Sequence, residues 1–134
     1  MDRAATAVLI AEAIRTAGSY RWVGLYDVMP DEIAVIAYSG PAPPAYPTFS
    51  ASKGLSGEAV RSRRTVVSND VAQDARYLTN LETTGSEMIV PILAPDGRVV
   101  GTIDVESDKL DAFSDLDAAA VGACSEVVRE RLFS

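Results

Sequence analysis

The sequence contains no histidine and a single cysteine, Cys124. The first absence removes the usual general base near neutral pH and the commonest metal ligand. The second excludes an internal disulfide, a zinc–thiolate cluster and a two-cysteine redox cycle within one chain. Positive charge is also scarce: 12 Lys and Arg against 19 Asp and Glu leave a formal net charge of −7. Nucleic acids and anionic membrane surfaces are held by clustered Lys and Arg, so the balance argues against both as partners. No apolar run is long enough for a signal peptide or a span, and the first helical segment carries Arg3, Glu12 and Arg15. Repeats and low-complexity tracts are absent too. These absences predict a cytoplasmic chain forming one domain over residues 1–134. That length allows a core of roughly two-thirds buried surface.

What is present centres on Ser86–Ser107, two strand-like runs joined at Pro95-Asp96-Gly97. A two-residue loop at Asp96-Gly97 would supply a tight hairpin turn. Pairing the arms then sets Glu87 opposite Glu106 and Ile89 opposite Asp104. Opposed residues share a face and neighbours along a strand alternate. One face therefore carries Met88, Val90, Ile92, Val99, Gly101, Ile103 and Val105. The other carries Glu87, Ile89, Pro91, Leu93, Val100, Thr102, Asp104 and Glu106. A one-residue slip would destroy that segregation, so the pattern itself specifies the register. Three carboxylates gathered on one face suit either a solvated surface or the wall of a ligand pocket.

The remaining segments fall around this hairpin. Residues 2–17 are alanine-rich with Val8, Leu9, Ile10 and Ile14, a helix that Asp2 can cap and Gly18-Ser19 end. Tyr20–Val28 reads as a strand placing Trp22, Gly24 and Tyr26 on one face, and Glu32–Tyr38 as its partner. Four prolines in Gly40–Pro47 exclude regular structure there; Tyr46 and Phe49 sit at the loop's far end. Lys53–Arg64 predicts a turn and short helix with Ser56 as N-cap, and Thr65–Ser68 a short strand. Asn69–Tyr77 reads as a short helix or turn, and Leu78–Gly85 as a polar loop. Ser114 with Asp117 three residues on opens a last helix to about Phe133, with Val121, Cys124, Val128 and Leu132 along its apolar stripe. The order predicts an α+β domain, an antiparallel sheet with the terminal helices on one face.

Four segments in order, G-L-S-G-E-A-V at 54–60, S-N-D-V-A-Q-D-A-R-Y at 68–77, S-E-M-I-V-P-I at 86–92 and G-R-V-V-G-T-I-D-V-E-S at 97–107, resemble a GAF domain. The resemblance implies a PAS-related α+β fold: an antiparallel sheet of about six strands, terminal helices on one face and a ligand pocket on the other. W-V-G-L-Y at 22–26, Glu87 and D-V-E at 104–106 further resemble the free methionine-(R)-sulfoxide reductase branch of these proteins. There a Trp/Tyr pair and three carboxylates hold the free amino acid. By that resemblance the ligand-binding residues here are Trp22, Tyr26, Glu87, Asp104 and Glu106.

The branch's cysteines fall, by ungapped alignment, on Tyr46, Ser56 and Asn80, none of which carries sulfur. Sulfoxide reduction needs a thiolate nucleophile and a resolving thiol. Cys124 belongs to a helix stripe and reads as a small core hydrophobe. The expectation is therefore a non-catalytic sensor or regulatory domain of signal transduction, without cofactor or metal, whose clustered acids suit a small cationic or amino-acid-like ligand. A divalent cation would also satisfy three acids, but strand-borne carboxylates with no histidine favour an amine. The alternative is a reductase-type enzyme using altered or partner-supplied thiol chemistry. Alanine-rich helices at both ends lead us to expect a homodimer through the terminal helices.

Overall fold

The structure, a computed structural model, describes all residues from Met1 to Ser134. The elements run α1 (Arg3–Gly18), β1 (Trp22–Val28), β2 (Glu32–Ser39), β3 (Thr48–Ser50), α2 (Gly54–Ser62), β4 (Val66–Ser68), a 3-10 turn at Val71–Gln73, β5 (Ser86–Leu93), β6 (Val99–Ser107) and α3 (Asp115–Leu132). The six strands form one sheet in the order β3-β2-β1-β6-β5-β4. Every pairing is antiparallel. The α+β architecture anticipated from the sequence is the observed one. No helix is long and apolar enough to cross a membrane.

Local chemistry explains the helix boundaries. Asp2 caps α1 by accepting from Ala5 N, and Ser19 ends it in a left-handed conformation at φ 54°. Ser114 and Asp117 form a reciprocal capping box at the start of α3. Both helices cover one face of the sheet. Ala7 and Ala11 of α1, Val121, Val128 and Leu132 of α3, and Val23, Leu25, Met88, Val90, Ile92, Ile103 and Val105 of the central strands make one buried cluster. Small residues one helical turn apart let α1 lie close to the sheet. Cys124 packs at the margin of this cluster, and its thiol meets the Ala120 carbonyl at 3.4 Å.

The central hairpin keeps the expected register, Glu87 opposite Glu106 and Ile89 opposite Asp104. Its turn differs from expectation. Gly97 N donates to the Ala94 carbonyl at 2.9 Å and Ala94 N to the Arg98 carbonyl at 2.8 Å, while Gly97 has φ 89°. Pro95 and Asp96 are thus the central pair, because proline's fixed φ suits the first central position and glycine takes the left-handed one after it. The register shifts between Ile92 and Leu93, so Leu93 pairs with Val99. Val100 is the extra residue and packs against the helix-side cluster rather than standing on the acid-bearing face.

The start of α2 also differs from expectation. Ser56 is not a cap: it lies inside α2, 6% exposed, and Lys53 precedes the helix without a side-chain cap. The helix instead starts from Gly54, which supplies φ 71°. Thr48–Ser50 forms a short edge strand on β2 that the proline-rich run before it concealed.

Candidate functional site

On the sheet face opposite α1 and α3, the three central strands lay side chains in cross-strand rows. Trp22, Glu106 and Glu87 make one row; Gly24, Asp104 and Ile89 the next; Tyr26, Thr102 and Pro91 a third. A side chain on Gly24 would run into the rings of Trp22 and Tyr26. Glycine there lets the two aromatics close on either side and leaves room beside Asp104.

The three acids are buried, with Glu87 4%, Asp104 5% and Glu106 0% exposed. One carboxylate oxygen from each lies within 4.8 Å of the others. None of the ion pairs in the chain includes any of the three. Burial, then the charge of Asp104 and Glu106, holds the Glu87 carboxyl well above its ordinary value. Burial and Glu106 do the same to Asp104. The Tyr26 phenol is pushed far up, first by burial and then by Asp104, Glu106 and Glu87. Uncompensated carboxylates in low dielectric favour protonation or a cationic partner. Asp104 Oδ1 is buried with no hydrogen-bond partner.

Tyr26, Glu87 and Asp104 floor a cavity of about 20 Å³, room for roughly one water. Leu55 and Ser56 of α2 and Phe49 of β3 form its walls, and Tyr46, Leu78, Thr79 and Asn80 close it. Glu106 and Trp22 stand behind this lining. Glu106 accepts from Asn80 Nδ2 at 2.6 Å and from Thr84 Oγ1 at 2.7 Å. Trp22 donates its indole N–H to the Ala42 carbonyl at 2.9 Å and stacks on Tyr38 with ring centroids 6.0 Å apart. Of the sequence-derived ligand residues, Tyr26, Glu87 and Asp104 therefore reach the cavity directly. Tyr46, Ser56 and Asn80 border the same cavity. Leu55, Leu78 and Thr79 at the cavity, and Thr84 on Glu106, carry no sequence signal, since only the fold brings them here.

A six-stranded antiparallel sheet with helices on one face and a small cavity on the other is the architecture that the comparisons identify. A family model described as a GAF domain matches residues 1–128. The chain belongs to the GAF domain family. It is similar to GAF domain-containing protein A of Dictyostelium discoideum, 28% identical over 109 residues, which is 81% of this chain and 67% of that protein. Among solved structures it is similar to the type II free methionine-R-sulfoxide reductase of Thermoplasma acidophilum, with TM-score 0.86, 26% identity and coverage of 98% and 95% of the two chains. The free methionine-R-sulfoxide reductase of Neisseria meningitidis, in complex with its substrate, gives TM-score 0.88, 28% identity and coverage of 98% and 78%.

Proposed function

We propose that this GAF domain is a non-catalytic sensor whose pocket binds a small amine-bearing, amino-acid-like ligand. The observation that carries the reading is Asp104 Oδ1, buried and unpartnered among three carboxylates that no protein cation neutralises. An ammonium group would satisfy that oxygen and relieve the mutual repulsion of the acids, each charge-assisted bond contributing roughly 1.5–3 kcal/mol. Glu87, Asp104 and Glu106 supply the negative field and Tyr26 the aromatic wall, with Trp22 behind the lining. Similarity to the reductases supports an amino-acid-like ligand, while the residues at the aligned cysteine positions argue against their chemistry. Cys124 offers no substitute, because it packs with the helices on the other face of the sheet.

A thermal-shift screen of amino acids, simple amines and cyclic nucleotides tests the reading, run beside an assay for thiol-dependent turnover of free methionine-R-sulfoxide. The expected result is stabilisation by an amine-bearing compound without turnover. Stabilisation only by anions or neutral compounds would refute it. The reductase alternative, a thiol supplied by a partner protein, rests on similarity to the Thermoplasma and Neisseria enzymes and would show as turnover with a thiol partner added.

A further inference from the structure

We infer that Asn80 clasps a two-part roof over the acid cluster and commits Glu106 to holding it, leaving Glu87 and Asp104 to meet the ligand's cation directly. This rests on the pocket reading given above. Asn80 uses both ends of its amide. Its Nδ2 donates to Glu106 Oε2 at 2.6 Å, and its Oδ1 accepts from Ala45 N at 3.1 Å. The first bond ties the 78–85 segment to the sheet, and the second ties that segment to the proline-rich loop over 40–47. Thr84 adds its hydroxyl to Glu106 Oε1. Both oxygens of Glu106 are thus occupied by the roof, whereas Asp104 Oδ1 has no partner.

The cavity beneath, about 20 Å³, admits nothing larger than water, so an amino-acid-sized ligand enters only when the roof lifts. Lifting it parts Asn80 and Thr84 from Glu106. Because the proline-rich loop also carries the Ala42 carbonyl that takes the Trp22 indole N–H, the same movement uncovers Trp22. Closing restores the bonds to Glu106 with the ligand beneath. Asn80 and Thr84 are positioning residues for Glu106; Glu87 and Asp104 are the groups that touch the ligand.

Hydrogen exchange on the ligand-free domain tests the roof without any ligand. Asn80→Ala and Thr84→Val should speed exchange across 78–85 by about tenfold, with β5 and β6 still protected. Asn80→Ala should also release the Ala45 amide, and Thr84→Ser, which keeps the hydroxyl, should restore protection. Binding kinetics with L-methionine-R-sulfoxide, read from the fluorescence of the single tryptophan, supply the second arm. The roof variants should raise association and dissociation rates together, several-fold, while Asp104→Asn should raise dissociation alone. Unchanged exchange in both Asn80→Ala and Thr84→Val overturns the inference. So does a Glu106→Gln variant that raises dissociation without changing exchange, for Glu106 would then be a ligand contact. Faster exchange in a protein to which no amine binds would leave the roof standing and remove the ligand reading alone.

Discussion

Glu87 and Glu106 stand directly opposite each other across β5 and β6, both almost wholly out of water. Like charges on paired strand positions destabilise a sheet, and burial adds to the cost. A domain that keeps them there sacrifices stability for something the pair does. Glu87→Gln should raise the stability of the ligand-free protein by about 1 kcal/mol at pH 7, a Tm gain of a few degrees. The same change should weaken amine binding several-fold. Equilibrium urea unfolding and calorimetric titration check the two halves; a variant less stable than the parent would refute the first.

The pH dependence of stability should carry the same signature. Glu87 and Asp104 have folded-state pKa values raised by burial and by neighbouring acids. The unfolded chain gives up these protons first. Their contribution is therefore fully present below the ordinary carboxylate range, about 4, and is lost as pH rises through the raised folded values. Asp74 is shifted down by Arg76, Asp96 by Arg98, and Asp117 by hydrogen bonds from Ser114 and Tyr20, so their contribution is lost as pH falls through the lowered values. The ligand-free domain should be most stable at mildly acid pH and weaken toward pH 8. Asp104→Asn and Glu87→Gln should flatten that decline. A decline of equal slope in both variants would assign it elsewhere.

No turnover of free methionine-R-sulfoxide is expected with a dithiol reductant, since Tyr46, Ser56 and Asn80 stand around the cavity and supply no thiolate. Cys124→Ala should leave ligand binding unchanged. Turnover that disappears in Cys124→Ala would contradict the first statement, and weaker ligand binding by that variant the second.

Tyr20 donates its phenol to Asp117 Oδ1 at 2.9 Å, joining the end of the α1 connection to the capping box of α3. Burial, followed by Asp117, pushes the Tyr20 pKa up to about 12. A raised value means stability that is intact below pH 10 and lost as pH climbs toward 12. Tyr20→Phe keeps the ring against Phe113, 5.7 Å between centroids, and should cost about 1 kcal/mol at neutral pH. It should also lessen the alkaline slope, Tyr26 and Tyr77 keeping the rest because burial raises theirs as well, and pH-jump unfolding followed by circular dichroism would detect the change. An unchanged slope would locate the alkaline transition at another group.

A homodimer through the terminal helices is expected. Val8 and Leu9 on α1 and Leu116 and Val127 on α3 are exposed, Leu116 by 82%, although both helices already bury one face against the sheet. A second copy would cover these side chains. Sedimentation equilibrium at micromolar concentration should give twice the monomer mass, with Leu9→Glu shifting it to monomer. A parent protein that stays monomeric as concentration rises would rule the dimer out.

Local patterns in the sequence determine much of this protein. Alternation along 86–93 and 99–107 specified the hairpin register, because a one-residue slip would bury acids among valines. The capping residues Asp2 and Ser114 marked the two long helices. The same alternation grouped Glu87, Asp104 and Glu106, and it set Trp22, Gly24 and Tyr26 on one face. Tertiary structure alone decided what had no periodicity to betray it. Ser56 looked like a cap because serine favours that position, yet packing carries it into α2 and against the cavity. The bulge at Val100 depends on how proline and glycine divide the turn at 95–97. The bonds of Asn80 and Thr84 to Glu106 span 26 and 22 residues. Such contacts are made by side chains on irregular segments, whose positions follow from the whole fold and leave no local trace in the sequence.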